Sequence, residues 1–328
     1  MNIDGTSHRS IWLSKNGKDI EVIDQTLLPH KFEVASLKCL NDAVKAIANM
    51  QVRGAPLVGV TAAYGVYLAM REEQSDVFLS YAYAKLLNTR PTAINLKWAL
   101  DRMVAGLLRV NVSSRVNDSL SIAESIAIEE TENCKNIGIV GTKIIREISD
   151  LKHGGTVNIL THCNAGWLAT VDWGTALAPI YAAFNSGVSV HVWVDETRPR
   201  NQGASLTAWE LSKHGVDNTV VVDNAGGHLM QHGMVDLCIV GCDRATSTGD
   251  VCNKIGTYHK ALAAFDNEIP FYVALPHSTI DWTISDGIAE IPIEQRDTKE
   301  VTEMSGLDSE GVLRTVSLVS PGQAALNY

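Results

Sequence analysis

The chain has 328 residues, of which 45% are hydrophobic and 20% are charged, so it is long enough for two globular domains. Its formal net charge of -10 and its pI near 5.5 argue against a nucleic-acid partner and against binding to an acidic membrane surface. An acidic protein can still hold an anionic substrate through a few local Arg and Lys side chains and backbone N–H groups.

The sequence predicts a protein of the reducing cytoplasm. No apolar run approaches the ~20 residues of a membrane span, and the first ten residues lack the apolar core of a signal peptide. The six cysteines are too scattered for a disulfide scaffold. Cys238 and Cys242 lack the paired spacing of a zinc site, so we expect no metal site.

In chain order, the first predicted elements are a hairpin and a helix. Two short apolar runs, Ile11–Leu13 and Ile20–Ile23, flank Asn16-Gly17, which is a strong hairpin turn signal. From Ser36 to Met50 apolar residues recur at helical spacing, which predicts a helix that faces the core.

Two segments place an arginine and a proline just before a predicted helix. Arg53-Gly54-Ala55-Pro56 precedes a helix within Leu57–Met70, and Arg90-Pro91-Thr92-Ala93 precedes a helix over Ile94–Leu108. Free backbone N–H groups at a helix start, beside an arginine, predict an anion site. The alternative for each segment is a helix–helix turn with a solvated arginine. The recurrence favours one phosphate bound by both segments. Neither segment is a P-loop or a dinucleotide fingerprint, so the sequence does not indicate a nucleotide.

A long amphipathic helix is predicted over Ser113–Asn133, and Ile137–Ile148 continues as helix. The acidic residues of this region are read as a solvated face. We place the domain boundary between Asn133 and His153. The predicted organisation is a mainly helical N-terminal domain with a short β-hairpin start (residues 1–140), followed by a Rossmann-like catalytic domain with a doubly wound parallel sheet (residues 141–328), in the α/β class.

The stretch that organises the second domain begins with a buried strand at Val157–Leu160. A polar turn, Thr161–Gly166, follows, and Trp167–Phe184 reads as a helix. A strand, a glycine-containing turn and a helix together place a ligand at the carboxyl end of the strand. Cys163 lies in this turn, where a helix N-terminus could favour the thiolate, and the alternative is a small buried hydrophobic residue.

After Gly187 the predicted strands and helices alternate, as a doubly wound sheet requires. Polar residues that follow strands at the carboxyl edge of such a sheet bind ligands. Four strand ends carry such residues, namely Cys163, Asp195–Gln202, Asp243 and His277–Asp281.

Asp243 follows the purely apolar strand Leu237–Val240 and precedes a polar turn. A carboxyl group that is partly removed from water can serve as a general acid at neutral pH. The alternatives are a helix cap or an aspartate paired with Arg244. Likewise, Asp195 and Glu196 with Arg198 and Arg200 could form a salt-bridged loop that fixes the site.

Seven blocks resemble the methylthioribose-1-phosphate isomerase family and occur in its order. They are Arg53–Pro56, Arg90–Ala93, Thr161–Gly166, Asp195–Arg200, Gln202–Ala204, Gly249–Tyr258 and Ile291–Glu294. The family shares its fold with regulatory subunits of a translation-initiation exchange factor and with archaeal ribose-1,5-bisphosphate isomerase. Its members continue with a further motif and helix after a segment like Ser320–Gly322, whereas this sequence stops at Tyr328, and the two interpretations are a truncated sequence and a C-terminus that closes differently.

The resemblance implies an aldose–ketose isomerase that converts 5-methylthioribose 1-phosphate to 5-methylthioribulose 1-phosphate in methionine salvage, as a homodimer and without metal or redox cofactor. It implies Cys163 and Asp243 as the catalytic pair. The residues that it implies for binding of the phosphate and the sugar hydroxyls are Arg53, Gly54, Ala55, Arg90, Gln202, Asn253 and Lys254.

Three functions remain open at this point: this isomerase, an isomerase of another phosphopentose such as 5-deoxyribose 1-phosphate or ribose 1,5-bisphosphate, and a non-catalytic regulatory subunit that binds sugar phosphates or nucleotides. For the isomerase reaction, hydrogen transfer from C2 to C1 could be a proton relay through the Cys163 thiolate or a hydride shift that Cys163 orients.

Overall fold

The computed structural model describes residues 1–3 and 5–328. Its first part holds five short strands and five helices. The strands are β1 (Asn2–Ile3), β2 (Thr6–Ser7), β3 (Ile11–Leu13), β4 (Ile20–Ile23) and β5 (Val34–Leu37). The helices are α1 (Leu40–Ala48), α2 (Ala55–Glu72), α3 (Asp76–Leu87), α4 (Ile94–Leu107) and α5 (Arg115–Leu151).

The predicted hairpin is confirmed, because β3 and β4 pair antiparallel around the Asn16-Gly17 turn. The helix predicted from Ser36 is wrong at its start. Ser36 pairs with Glu21 in β5, and α1 begins only at Leu40. The difference arises because exposed and less exposed residues alternate in β5, as in a strand. In the sequence this short alternation merges with the helical spacing of the apolar residues that follow.

Helix α2 forms the centre of the first core. Every residue from Pro56 to Met70 is buried, so this helix is surrounded by protein on all sides. Its sequence permits this because apolar and small residues occupy all its faces, and α1, α3, α4 and α5 pack around it.

Helix α5 runs for 37 residues without a break. Ala123, Ile126 and Ala127 lie in the first core, whereas Ile145 lies in the core of the parallel sheet. The predicted boundary between residues 140 and 141 therefore falls inside a continuous helix that contributes to both cores, and this division of the chain stays a prediction.

The second part adds eight strands that lie upstream of the C-terminal hairpin. They are β6 (Val157–Thr161), β7 (Val190–Asp195), β8 (Asp217–Val221), β9 (Leu237–Val240), β10 (Arg244–Thr246), β11 (Val251–Cys252), β12 (Phe271–Val273) and β13 (Ile280–Asp281). Five of them form one parallel sheet in the order β12-β9-β6-β7-β8.

This order confirms the predicted doubly wound sheet, with β6 at its centre. The chain runs outward from β6 to β8 on one side and then returns to β9 on the other. The reversal between β6 and β9 opens a crevice at their carboxyl ends, which is where ligands bind in such sheets.

The remaining helices cover the sheet and the C-terminal region. They are α6 (Ala178–Asn185), α7 (Ala208–His214), α8 (Gly226–Gln231), α9 (Thr257–Asp266), α10 (Gly287–Glu290) and α11 (Lys299–Thr302). The helix predicted over Trp167–Phe184 is wrong in its first half. Trp167–Ala169 is a single 3-10 turn, and α6 begins only at Ala178.

The chain ends in an antiparallel hairpin of β14 (Glu303–Leu307) and β15 (Leu313–Ser317). Strands β10, β11 and β13 form a small separate sheet in the order β11-β10-β13. Among the described residues, no helix combines the length and the apolar character that crossing a membrane requires.

Candidate active site

A cavity of about 220 Å³ lies at the carboxyl ends of β6 and β9. The structure brings all nine predicted site residues to its wall. They are Arg53, Gly54, Ala55, Arg90, Cys163, Gln202, Asp243, Asn253 and Lys254. They are spread along the chain from residue 53 to residue 254, so only the fold brings them together.

The cavity is cationic although the chain as a whole carries a formal net charge of -10. Its basic lining residues are Arg53, Arg90, Arg200, Arg244, Lys254 and Arg296. Its acidic ones are Asp243, Glu294 and Glu300. This local excess of positive charge suits an anionic ligand such as a phosphate ester.

Cys163 is held in the left-handed region of the backbone, with φ of 67°. Its N–H donates to Thr197 Oγ1 at 2.8 Å, and its carbonyl accepts from Thr207 Oγ1 at 2.7 Å. These two contacts hold the turn, so that Sγ lies 3.3 Å from Gln202 Oε1. Backbone in this region is strained for a side chain other than glycine, and such strain is common at functional sites.

The expected helix N-terminus beside Cys163 is absent, because the segment from Trp167 makes only a 3-10 turn. Burial raises the pKa of the Cys163 thiol, and the nearby Arg53 guanidinium opposes this by lowering it. The net direction is upward, so the free protein favours the thiol rather than the thiolate, contrary to the expectation from the sequence.

Asp243 lies just past β9, and its N–H donates to the Cys252 carbonyl at 2.9 Å. Its side chain is exposed to the cavity, which corrects the expectation that it is partly removed from water. The pairing with Arg244 is also wrong. Arg244 instead faces Asp281 at 3.4 Å, and it donates to the Thr92 carbonyl.

Arg53 is a buried cation at the cavity wall, only 7% exposed. Its guanidinium donates to both the side-chain and the backbone oxygen of Asn164. The Asn164 amide in turn donates to Glu210, whose other oxygen accepts from Tyr181 Oη at 3.1 Å. Burial raises the pKa of Glu210 to about 7, and its hydrogen bonds oppose this increase.

Three of the cavity's cations contact the C-terminal region. Arg90 pairs with Glu294 at 3.0 Å, and Arg200 pairs with Glu300 at 2.7 Å. Lys254 Nζ donates to a backbone carbonyl of the last residue at 3.0 Å. An incoming phosphate would therefore exchange with these contacts.

The fourth strand end does not reach the cavity. Ser278 and Thr279 accept hydrogen bonds from Asn95, and Asp281 faces Arg244. Strand β12 lies at the edge of the sheet, next to β9 and away from β6, which explains the separation. The segment Asp195–Gln202 contributes Thr197, Arg200 and Gln202 to the cavity, as its position predicts.

The proposed salt-bridged loop is also corrected, since its members pair with residues outside it. Asp195 contacts His162 and Lys260, and Arg198 donates to backbone carbonyls near residue 300. The cavity-lining cations that the sequence analysis did not single out as site residues are Arg200, Arg244 and Arg296. For Arg200 and Arg244 no local signal distinguishes them from solvated arginines, because their partners, Glu300 and Asp281, are far along the chain. Arg296 pairs locally with Glu294 and Glu300, which reads in the sequence as an ordinary surface ion pair.

One group among the described residues has the atoms to ligate a metal ion. His162, Asp195 and Asp223 present ligand atoms within 4.8 Å of one another. However, the Lys260 ammonium already lies 3.0 Å from Asp195 Oδ2 and donates to the backbone carbonyl of Asp223. A protein cation therefore already pairs with one of these carboxylates.

Comparison with known proteins places the chain in a family. The family model described as the initiation factor 2 subunit family matches residues 51–319. A protein of Methylorubrum populi named methylthioribose-1-phosphate isomerase is 61% identical over 327 residues, which span 100% of this chain and 89% of that relative. An Escherichia coli protein of the same name is 59% identical over 329 residues, covering 100% and 88% of the two chains. The chain belongs to the methylthioribose-1-phosphate isomerase family.

Solved structures agree with the fold of this isomerase family. A 5-methylthioribose 1-phosphate isomerase of Pyrococcus horikoshii superposes with a TM-score of 0.80 at 35% identity, covering 98% of this chain and 87% of the other. A protein of A. fulgidus described as subunit delta of translation initiation factor eIF-2B gives 0.78 at 36% identity, covering 98% and 90%. The predicted family resemblance is confirmed.

Proposed function

We propose that this chain converts 5-methylthioribose 1-phosphate to 5-methylthioribulose 1-phosphate in methionine salvage, and that it does so without metal or redox cofactor, as the family resemblance implies. One observation carries the proposal. A cationic cavity at the strand reversal is lined by both Cys163 and Asp243, in a chain 61% identical to a named isomerase of this substrate.

Asp243 is proposed to open the sugar ring. Because the phosphate is attached at the anomeric carbon, the sugar cannot open spontaneously to a free aldehyde, and an acid must protonate the ring oxygen. Arg53, Arg90 and Lys254 would hold the phosphate, and Gln202 and Asn253 the sugar hydroxyls, together with the backbone at Gly54-Ala55. A bound sugar would exclude water and strengthen each of these contacts.

The catalytic assignment is tested by substitution at both positions. Cys163→Ser and Asp243→Asn should each lower turnover by at least ~10²-fold, which is the usual scale for acid–base groups. The matched controls are Cys39→Ser, at a partly buried thiol outside the cavity wall, and Asp266→Asn, at an exposed carboxylate on α9. Near-normal turnover of either site variant would remove that residue from the mechanism.

The raised pKa of Cys163 favours the hydride route over the proton relay. After ring opening, C1 is electron-deficient and still carries the phosphate. The C2 hydrogen then moves to C1 with its electron pair, and the C2 hydroxyl becomes the ketone by giving its proton, directly or through water, to the Asp243 carboxylate that ring opening leaves. A thiol that keeps its proton can orient this transfer, whereas a proton relay needs the thiolate.

Turnover in deuterium oxide separates the two routes. A hydride shift leaves C1 of the ketose without deuterium, because the transferred hydrogen never exchanges with solvent. A relay through a base that exchanges its proton with solvent introduces deuterium at C1. NMR of the product therefore decides, and deuterium at C1 would assign the thiolate the role of base.

The closest alternatives are isomerisation of another phosphopentose and regulatory binding without turnover. Regulatory binding is considered because one similar solved structure is described as an initiation factor subunit. The test is ketose 1-phosphate formation from a panel of aldose 1-phosphates, with binding measured alongside. We expect turnover to be fastest with the 5-methylthio sugar, while binding without turnover of any member would favour the regulatory function.

We also propose that the protein is a cytoplasmic homodimer. Helix α5 exposes Ile139 and Val140, at 52% and 62%, beside an apolar groove that includes Ile144 and Tyr272. Exposed apolar surface of this kind commonly marks an association site. Light scattering coupled to gel filtration should give twice the chain mass of 35.5 kDa, and a monomer at micromolar concentration would contradict the proposal.

A further inference from the structure

His162 precedes Cys163, does not line the cavity, and has a fully buried side chain that contacts the equally buried Asp195. Its Nδ1 lies 2.8 Å from Asp195 Oδ2, and its Nε2 lies 2.7 Å from the Ile255 carbonyl. A carboxylate and a backbone carbonyl can only accept hydrogen bonds. Both ring nitrogens must therefore donate if both contacts are made, and an imidazole that donates from both nitrogens is the imidazolium cation.

The charges around the ring fit this state. The charged groups that face the cluster are Asp195 of β7, Asp223 after β8 and Lys260 of α9. The Lys260 ammonium and an imidazolium together balance the two carboxylates. Asp223 is 28% exposed and its carboxylate accepts from the N–H groups of Thr197 and Arg198, whereas Asp195 is fully buried. Among these facing groups, a neutral imidazole would leave the Lys260 ammonium as the single cation for both carboxylates.

The Ile255 carbonyl belongs to the loop that carries Asn253 and Lys254. This loop fits closely against the ring, because a Cβ at Gly256 would lie 2.8 Å from His162 Cε1. The Ile255 side chain itself is 58% exposed, so it does not anchor the loop by burial. The hydrogen bond from His162 Nε2 to the Ile255 carbonyl thus holds the backbone of the loop at the residue next to Lys254.

We propose that His162 is a positioning residue that, as an imidazolium, ties the Cys163 turn to the loop of Lys254 and so sets the spacing between thiol and phosphate. The proposal rests on the proposed function, in which Lys254 binds the phosphate. His162 touches no reacting atom, so it acts on substrate affinity through the loop.

A pair of amide substitutions separates the two contacts of the ring. In His162→Gln the amide nitrogen can occupy the place of Nε2 and keep the bond to Ile255. In His162→Asn it occupies the place of Nδ1 and keeps only the bond to Asp195. We expect Asn to raise the KM for the aldose 1-phosphate about 10-fold, with a smaller change in kcat, because a charge-assisted hydrogen bond is lost. Gln should stay within about 3-fold of the unmodified KM.

A double-mutant cycle with Lys254→Ala tests whether the effect runs through the loop. If His162 acts by placing Lys254, then adding His162→Asn to Lys254→Ala should raise KM no further. Two results would overturn the proposal. One is an equal rise in KM for His162→Asn and His162→Gln, and the other is a rise in KM for His162→Asn that adds fully to that of Lys254→Ala.

A measurement that needs no activity completes the test. In the unmodified protein at pH 7, ¹H–¹⁵N NMR of the His162 ring should show a proton on both nitrogens, and a ring with one bare nitrogen would contradict the inference. This readout also separates the two proposals. Absence of turnover in the unmodified enzyme would refute the proposed function, while the NMR result would still decide the state of His162.

Discussion

Gly54 controls how closely the start of α2 approaches the 3-10 turn that follows the Cys163 segment. Its φ is 94°, and a Cβ at this position would overlap the backbone of Ala169 in the 3-10 turn. Glycine is required here for two reasons, the left-handed backbone and the contact. The close approach places Arg53 beside Asn164, and it is therefore part of how the cavity wall is built.

We expect Gly54→Ala to lower the free energy of unfolding by more than about 3 kcal/mol and kcat/KM by at least about 10-fold, since backbone strain and overlap add together. Gly249→Ala is the matched control. Gly249 has φ of 98°, but nothing lies within 4 Å of a Cβ there, so only the strain of about 1–2 kcal/mol applies. A denaturant titration measures both variants. If Gly54→Ala and Gly249→Ala lower the free energy of unfolding equally, then small movements relieve the overlap of the new Cβ with Ala169.

At the scale of elements, α5 and α6 approach closely because α5 carries small residues where they meet. A Cβ on Gly138 would lie 3.2 Å from the Ala178 carbonyl, and one on Gly141 would lie 2.7 Å from Pro179 Cβ. Because α6 packs on the sheet next to β7, this contact fixes the long helix against the core of the second part.

We expect Gly141→Ala to destabilise the protein by about 1–2 kcal/mol, because the rigid ring of Pro179 cannot move aside and overpacking outweighs the gain in helix propensity. Gly106→Ala in α4 is the contrasting case. There the new Cβ would meet only the Cδ1 tip of Ile122, at 2.6 Å, which can rotate away. We expect it to be neutral or stabilising by up to about 1 kcal/mol, and thermal unfolding of both variants checks the difference.

At the scale of the whole molecule, a buried polar junction joins the helical part to the end of the sheet. Glu130 of α5 accepts from Ser278 Oγ at 2.8 Å, and Ser278 accepts from Asn95 of α4 at 3.0 Å. Burial raises the pKa of Glu130 to about 7, with its neighbour Glu129 adding to the shift.

This junction should make stability depend on pH. Between pH 4.5 and about 7 the folded protein holds a proton on Glu130 that the unfolded chain has released, so the free energy of unfolding falls as pH rises through that window. Relative to Glu130→Gln, the free energy of unfolding of the unmodified protein should fall by up to about 3 kcal/mol between pH 4.5 and about 7. Above that range the difference between the two proteins should change little. Urea titrations at several pH values check this, and a constant difference would mean that Glu130 titrates normally.

The sequence alone determined the α/β class, the central strand and nine of the residues that reach the cavity, because these follow from local apolar patterns and from motifs that resemble a family. Hairpin strands β3 and β4 were predicted residue for residue, since alternation and an Asn-Gly turn are local signals. The catalytic and binding roles of the nine residues remain predictions.

The tertiary structure decided the environments of those residues. Exposure of Asp243, the raised pKa of Cys163 and the absence of a helix start beside it depend on what packs there from distant segments. The junction of His162 with Asp195 and Ile255 joins residues 33 and 93 positions apart. Charge balance and desolvation act through space, so no pattern of neighbours along the chain encodes them.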